Sequence, residues 1–270
     1  MRGEGMNELI EETVGNLGFK DDKISLSLVN YALEELIAKN AVLNKKNYDA
    51  RIRLLCKSLL QFKGACRKIF GAMLSKGIPI TEIFEQYMPD TARQLGEYWV
   101  KNILSFAEVT IAISRLQNIA QEFEKLYLKD FNKKSPTGAE LLLIVPQRES
   151  HTLGAQMICR QFRRLGAEPY LAINNSVNEL EYLISTQNFN LIGLSLSDQN
   201  LCKTSSNTED IKNIVDSSKL PLVVGGSLAS NNKDVCKDVL KELKPDLIAS
   251  DAYQTLDYFG LNPAKKNKVH

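Results

Sequence analysis

The stretch Glu140-Leu-Leu-Leu-Ile-Val-Pro-Gln-Arg-Glu-Ser-His-Thr-Leu-Gly154 decides the fold of the C-terminal half of this chain. An apolar, strand-like run (140–145) leads into a polar loop, and a helix-like run (153–165) follows the loop. A strand-to-helix turn of this kind lies at the carboxyl edge of a parallel sheet, where α/β folds bind their ligands. We therefore expect the loop, with its pattern Glu-x-His-x-x-Gly, to carry the functional site.

The histidine of this loop, His151, is one of only 2 in the chain, and the other, His270, ends a Lys-rich tail. An imidazole can ligate a metal through one nitrogen while a nearby carboxylate holds the N–H of the other. A single histidine before a helix is more often an ordinary surface residue. Here the flanking residues favour a metal ligand, and we predict His151 as that ligand with Glu149 as its orienting partner.

The rest of the C-terminal half alternates between two kinds of run. Apolar, strand-like runs lie at 140–145, 168–173, 190–196, 220–224 and 246–249. The helix-like runs that follow them lie at 153–165, 177–187, 208–218, 233–242 and 251–258. This alternation predicts an α/β domain with a doubly wound, five-stranded parallel sheet. The sequence has neither Gly-x-Gly-x-x-Gly nor Gly-Lys-Ser/Thr, so the usual nucleotide-phosphate cradles are not expected.

The N-terminal half has helical periodicity instead. Apolar residues recur every three or four positions from Ile52 to Met73, which predicts one long helix, and again from Phe106 to Phe123. Shorter helices are predicted from a Thr81 cap to Tyr87 and from Pro89 to Val100. The predicted divisions are an N-terminal helical extension (1–47), a helical bundle (48–129), a linker (130–138), the sheet domain (139–262) and a basic tail (263–270).

Composition limits the class of protein. The net charge of +2, the hydrophobic fraction of 44% and the charged fraction of 24% are those of a globular protein that stays in water. No run is long enough to span a membrane, and the first residues lack the apolar core of a signal peptide. The 5 cysteines are scattered and form no Cys-x-x-Cys pair. We therefore predict a cytoplasmic protein with reduced thiols and no membrane partner.

The C-terminal half resembles the cobalamin-binding domain family. That family carries a histidine on the first strand-to-helix loop, Gly-Leu-Ser after the third strand and Gly-Gly after the fourth. The matching residues here are Glu149-Ser-His-Thr-Leu-Gly154, Gly193-Leu-Ser195 and Gly225-Gly226. The segment Met88-Pro-Asp-Thr-Ala-Arg-Gln-Leu-Gly-Glu-Tyr-Trp99 resembles the helical cap of the same family.

The resemblance implies a bound cobalamin, with His151 ligating cobalt from below and the nucleotide tail of the cofactor running into the sheet edge. The residues it assigns to this lower side are Glu149, Ser150, His151, Thr152, Leu153, Gly154, Ser195, Ser197, Gly225, Gly226 and Ser227. It assigns Trp99, Val109, Thr110 and Ile113 to the upper face of the ring, under the helical cap.

Three subgroups of this family differ in their motifs. Methyltransferase and mutase carriers have Asp where this chain has Glu149, and a relay serine where it has Leu201. The light-dependent repressors of carotenoid genes have Glu-His at the positions of Val109-Thr110. The segment Ser105–Gln117 resembles the cap helix of the AerR/PpaA-type photosynthesis-gene antirepressors. That subgroup implies a non-enzymatic, light- or redox-responsive regulator that binds a transcription factor.

Two alternatives stay open for the cofactor and the activity. A related domain class holds heme in the same fold, so His151 could ligate heme instead. The chain could also be the corrinoid carrier of a methyltransferase.

The stretch from Arg51 to Lys76 has seven basic residues and no acidic one. Such a run is usually a solvated helix face, and we expect the protein to bind DNA directly only weakly or not at all.

Overall fold

The computed structural model describes residues 44–61, 64–129, 137–197, 205–226 and 237–261. The chain divides into two compact units between Tyr127 and Leu128. Several predictions lie outside the described residues, namely those for Leu201, Ser227, most of the linker, nearly all of the N-terminal extension and the basic tail. The exact boundaries proposed for these segments stay predictions.

The first unit is a helical bundle. Its helices are α1 (Asn44–Gln61), α2 (Ala65–Ser75), α3 (Ile80–Glu82), a π-helix (Ile83–Tyr87), α4 (Met88–Val100) and α5 (Phe106–Leu128). Most of the apolar positions spaced by three and four face inward, but Phe106, the first of the second period, is exposed. Fully buried side chains come from nearly every helix. Among them are Leu55, Leu59, Phe70, Met73, Phe84, Leu95, Leu116 and Phe123. Stacking of Phe84 on Tyr127, with ring centroids 4.3 Å apart, joins the π-helix to the end of α5.

Two helix predictions for this unit were wrong. The expected continuous helix from Ile52 to Met73 is two helices, and Gly64 lies in the turn before the second. The apolar period continues across the break because both helices pack on one core, while glycine has a low helix propensity. Thr81 does not cap the next helix, since α3 begins at Ile80 after an extended Pro79.

The second unit alternates strands and helices as predicted. Its elements are β1 (Glu140–Val145), α6 (Thr152–Arg164), β2 (Glu168–Ile173), α7 (Val177–Thr186), β3 (Leu191–Ser195), α8 (Ser205–Ser218), β4 (Leu222–Gly225), α9 (Lys237–Leu243), β5 (Leu247–Ile248) and α10 (Ala252–Tyr258). The strands pair in parallel in the order β2-β1-β3-β4-β5. The predicted fold class is therefore confirmed. The bounds of β1 and β2 are those predicted, and the ends of β3, β4 and β5 differ from the prediction by one or two residues.

Apolar side chains cover both faces of the sheet. Alternate residues of β1 point to opposite sides, so Leu142 joins a core with residues of α7, α8 and α9. Leu143 joins a second core with residues of α6 and α10. This burial on both faces explains why the central strands are continuously apolar in sequence.

The strand order places a ligand-binding crevice at the middle of the sheet. From β1 the chain first moves outward to β2, and it then returns to place β3 on the other side of β1. The loops after β1 and β3 therefore leave the sheet in opposite directions, and a crevice opens between them. The Glu149–Gly154 loop follows β1 at this point. No helix in the described parts of the chain is long and apolar enough to cross a membrane.

Candidate cofactor-binding site

A tight turn directs the predicted site loop back toward the sheet. The backbone N–H of Glu149 donates to the carbonyl of Pro146 at 3.1 Å, which closes a four-residue turn. Arg148, the third residue of the turn, has a φ of 69°, a conformation that usually requires glycine. The turn leaves Arg148 exposed and buries Glu149, which is only 6% exposed.

The buried carboxylate of Glu149 is held by three groups. Its Oε1 accepts from the backbone N–H of His151 at 2.7 Å and lies 2.7 Å from Nδ1 of the same residue. Its Oε2 accepts from the backbone N–H of Ser197 at 2.9 Å. One side chain thus joins the loop after β1 to the end of β3 and orients the histidine ring.

The ring of His151 faces the carboxylate of Glu149 through Nδ1 and is open to solvent. An ionised carboxylate only accepts hydrogen bonds, so opposite such a group Nδ1 would carry the proton. A neutral ring with its proton on Nδ1 has its lone pair on Nε2, the nitrogen that can then bind a metal. The side chain of His151 is 56% exposed while that of Glu149 is 0% exposed. A buried base and an exposed ligand nitrogen are the arrangement expected of a metal-binding histidine.

The glycines predicted to leave room for a ligand have different surroundings. A Cβ added to Gly154, in the first turn of α6, would meet nothing within 4 Å. A Cβ on Gly225 would lie 3.3 Å from the carbonyl oxygen of Ala249. At Gly226, where φ is 98°, a Cβ would come within 2.3 Å of the carbonyl oxygen of Leu196. Gly154 therefore leaves open space, whereas Gly226 allows two backbone segments to approach.

Other residues predicted for the lower side lie in this loop or at the ends of the neighbouring strands. Ser195 ends β3, is half-buried and lies in register with Gly225 of β4. Ser150 is exposed, Thr152 is the first residue of α6 and Leu153, the next residue, is buried. The pairing of β1 with β3 and of β3 with β4 places the ends of these strands side by side at one edge of the sheet.

The residues predicted for the upper face belong to the bundle. Trp99, at the end of α4, is 46% exposed and meets the ring of Phe106 edge-on at 6.0 Å. Val100, Ile103 and Phe106 are even more exposed. We call Trp99, Val100, Ile103 and Phe106 the aromatic patch. Of this patch, only Trp99 was predicted for the upper face, and Phe106 was named only as the first apolar position of a helix. Val100 and Ile103, on either side of the polar pair Lys101-Asn102, were a usable signal.

The predicted upper-face residues on α5 have no side chain that is poised to ligate a metal. Val109 and Ile113 are apolar and half-buried. Thr110 is exposed, and its hydroxyl donates to the carbonyl of Phe106 at 2.8 Å. That hydrogen bond satisfies the helix backbone, as is common for threonine in helices. The Thr110 proton is therefore already in use within α5.

The basic run from Arg51 to Lys76 is partly structural. Arg51 donates to the hydroxyl of Tyr87 at 2.6 Å, and Arg67 forms an ion pair with Glu122. Burial raises the pKa of Cys56 and Cys66, in the same helices, to about 12, so both remain protonated thiols. The exposed cations of the run are Arg53, Lys57 and Lys76, while Lys63 lies outside the described residues.

Comparisons with known proteins give one relative by sequence and several solved structures of similar fold. No protein-family model matches the chain. An uncharacterized 20.5 kDa protein encoded in the bchF-crtJ intergenic region of Rhodobacter capsulatus is 27% identical over 193 residues, which are 72% of this chain and 98% of that protein. The monomethylamine corrinoid protein of Methanosarcina barkeri matches with a TM-score of 0.59 at 12% identity, over 76% of this chain and 94% of its own.

A cobalamin-binding protein from Desulfitobacterium hafniense DCB-2 is also similar, at 14% identity over 78% of this chain and 96% of its own, with a TM-score of 0.40. The Methanosarcina match, with its higher score, carries the conclusion about the fold. The chain is thus a relative of the Rhodobacter protein with the fold of a corrinoid protein, and the predicted resemblance to cobalamin-binding proteins is confirmed at that level.

Proposed function

We propose that this protein binds cobalamin at the carboxyl edge of its sheet and regulates transcription through a protein partner, without catalysis of its own. Nε2 of His151 is the lower axial ligand of cobalt. The contact between Nδ1 of His151 and the buried Glu149 carboxylate carries the proposal, because it fixes the tautomer that ligates a metal. The position of the loop at the crevice between β1 and β3 supports it.

The residues around His151 fit a corrin ring with a nucleotide tail. A corrin supplies the equatorial ligands of its own cobalt, so a single protein nitrogen completes the lower side. Gly154, with open space in place of a side chain, leaves the start of α6 accessible to a large ligand. Ser195, half-buried at the end of β3, offers a hydroxyl in the same crevice. The similar fold of the Methanosarcina corrinoid protein favours cobalamin over heme.

The aromatic patch supports the assignment of the upper face. Trp99 and Phe106 expose two rings that can cover a flat, largely apolar macrocycle. The residues that the resemblance places at the cobalt, Val109, Thr110 and Ile113, offer no imidazole. A ligand on the upper side of the cobalt would therefore have to come from solvent or from the cofactor, and exchange of that ligand under light or redox change is the chemistry that the cofactor would supply.

A change at the cofactor can affect transcription by changing how the protein binds a protein partner. The Rhodobacter relative is described by its place between bchF and crtJ, a gene neighbourhood that fits the resemblance to photosynthesis-gene antirepressors. Arg51 and Arg67 are engaged within the bundle, which leaves few exposed cations on this run for phosphates. We therefore propose that the effect on DNA passes through a transcription factor.

The cofactor assignment is tested by the absorption spectrum of the full chain after loading with hydroxocobalamin and gel filtration. We expect corrin bands to coelute with the wild-type protein and with His270→Ala, and to be lost in His151→Ala. Removal of the axial nitrogen deletes the bond that holds cobalt. Equal retention by His151→Ala, or a Soret band in protein purified with its native cofactor, would overturn the assignment.

The output is tested by DNA footprinting. The protein alone should bind DNA weakly, without sequence preference, and lose that binding steeply as salt rises, because only phosphate contacts would hold it. With its transcription factor present, cofactor loading should change complex formation by about 5- to 150-fold, the usual range for coupled sites. Tight, salt-resistant footprinting by the chain alone would contradict the proposal.

A further inference from the structure

A groove of about 440 Å³ lies between α2 and α5 of the bundle. Its lining consists of Arg67 from α2, and Thr110, Ile111, Ser114, Arg115, Asn118, Ile119 and Glu122 from α5. The volume is that of a site for a small ligand or for a few side chains of a partner. No residue of the sheet-edge loop or of the aromatic patch lines the groove, which shares only Thr110 with the residues proposed for the cofactor.

Two arginines of the groove are fixed in place by the bundle itself. Arg115 donates from one terminal nitrogen to the carbonyl of Leu59, near the end of α1. Arg67 pairs with Glu122 through one terminal nitrogen, and its buried Nε has no hydrogen-bond partner in the described part of the chain. Each guanidinium has five N–H groups, so donors remain after these contacts. Because both side chains are already ordered, a ligand that binds them has less conformational entropy to remove.

The charge of the groove favours an anion. Arg67 and Arg115 face a single carboxylate, Glu122, and α1 and α2 contribute no acidic residue between Arg51 and Lys76. Arginine binds carboxylates through paired hydrogen bonds, which gives such a contact direction as well as strength. Ile111, which is 50% exposed, adds an apolar wall. The combination fits a segment that carries both carboxylates and an apolar side chain.

The groove includes one of the predicted upper-face residues of α5. Thr110 lines the groove together with Ser114 and Asn118, which follow it at intervals of one turn on the same side of the helix. Ile113 leaves α5 about 100° from Ser114 and is not part of the lining. A segment bound in the groove therefore lies next to Thr110, and α5 carries residues of both surfaces.

We propose that the groove between α2 and α5 docks a short acidic, partly apolar segment of the protein partner. The inference rests on the proposed regulatory function and names the surface through which it acts. The segment places its carboxylates on Arg67 and Arg115 and its apolar side chain against Ile111. Helix α5, which carries Thr110 and most of the groove, then links a change at the upper face of the cofactor to the bound partner.

The docking surface is tested with the full-length protein and a fluorescein-labelled peptide of alternating leucine and glutamate, followed by fluorescence anisotropy. The variant Asn118→Glu puts a negative charge in the groove without removing either arginine. Gln86→Glu, at an exposed position of the π-helix, is the matched control. Circular dichroism of each variant shows whether the bundle is folded, and Ser114→Glu provides a second groove variant.

We expect the wild-type protein to bind the peptide and Asn118→Glu to bind it at least about tenfold more weakly, since like charges repel at close range. Gln86→Glu should change binding by no more than about twofold, because a distant surface charge is screened by salt. Equal binding by the two variants, equal binding of a lysine-for-glutamate peptide, or no binding by the wild type would overturn the proposal. Corrin retention, measured on the same samples by absorption, reports separately on the proposed cofactor site.

Discussion

The sheet-edge loop and the aromatic patch, which we propose as the two sides of the cofactor site, are built in different physical ways. In the loop, one buried carboxylate makes three directed contacts and fixes a single ring nitrogen. In the patch, Trp99 and Phe106 are exposed side by side with only a ring-edge contact between them. Hydrogen bonds depend on the position of single atoms, whereas apolar contact depends on area. The loop is therefore expected to be intolerant of small changes, and the patch to lose affinity gradually.

The largest effect in this comparison is expected at Glu149. Glu149→Ala removes the partner of Nδ1 and also frees the N–H of Ser197, so the histidine ring loses its orientation. We expect cobalamin affinity to fall about 10- to 100-fold, the usual result for loss of a ligand's partner. Absorption titration with hydroxocobalamin measures this.

Glu149→Gln gives a control of nearly the same size. Its amide oxygen can still accept one hydrogen bond, so its affinity should lie between those of wild type and Glu149→Ala. If all three proteins bind cobalamin with the same affinity, the loop does not hold the ligand through directed contacts. The loop would then be no more sensitive to small changes than the aromatic patch.

Two glycines of the sheet unit are expected to have different roles: Gly226 allows close backbone packing, and Gly154 leaves space for the ligand. Gly226→Ala puts a Cβ against the backbone of Leu196 at a positive φ, and should lower the free energy of unfolding by about 1–3 kcal/mol. Gly154→Ala meets no neighbour and should leave the free energy of unfolding unchanged or slightly higher, because alanine favours helices.

Of the two variants, Gly154→Ala should have the larger effect on cobalamin affinity, although it has the smaller effect on stability. Gly154→Ala fills space at the start of α6 and should weaken cobalamin binding in the folded protein. Chemical denaturation and absorption titration on both variants give the two quantities. A stable Gly226→Ala, or a Gly154→Ala with unchanged affinity, would show that these glycines do not have the separate roles described.

The smallest effect is expected in the aromatic patch. Trp99→Ala or Phe106→Ala should lower cobalamin affinity by about fivefold each, which is about 1 kcal/mol of lost ring contact. Because both side chains are exposed, the free energy of unfolding should change by less than about 0.5 kcal/mol. Tyr182→Ala, at an exposed position of α7, is the control for loss of a surface ring. Loss of the bundle's stability in either variant would show that the patch is core and not a binding surface.

The sequence predicted the sheet well because burial on both faces leaves a continuous apolar run in each central strand. It also predicted the Glu149–His151 pair, since residues two apart can meet without any long-range information. The contact from Glu149 to the N–H of Ser197 could not be predicted, because it joins residues that only the strand order brings together. The break at Gly64 was missed because the same core buries both helices and preserves the apolar period. The groove between α2 and α5 likewise depends on helix packing.

Gly226 separates what the sheet needs from what the proposed ligand needs. A Cβ at Gly226 would lie 2.3 Å from the backbone carbonyl oxygen of Leu196, at a φ of 98°, whereas a Cβ at Gly193 would meet only the end of the Leu143 side chain, which can move. A protein of this fold therefore requires a glycine at the position of Gly226 even if it binds no cofactor. The Glu149–His151 pair, under the proposed function, is required only where the ligand is bound, so the pair and not the glycine would distinguish relatives that bind it.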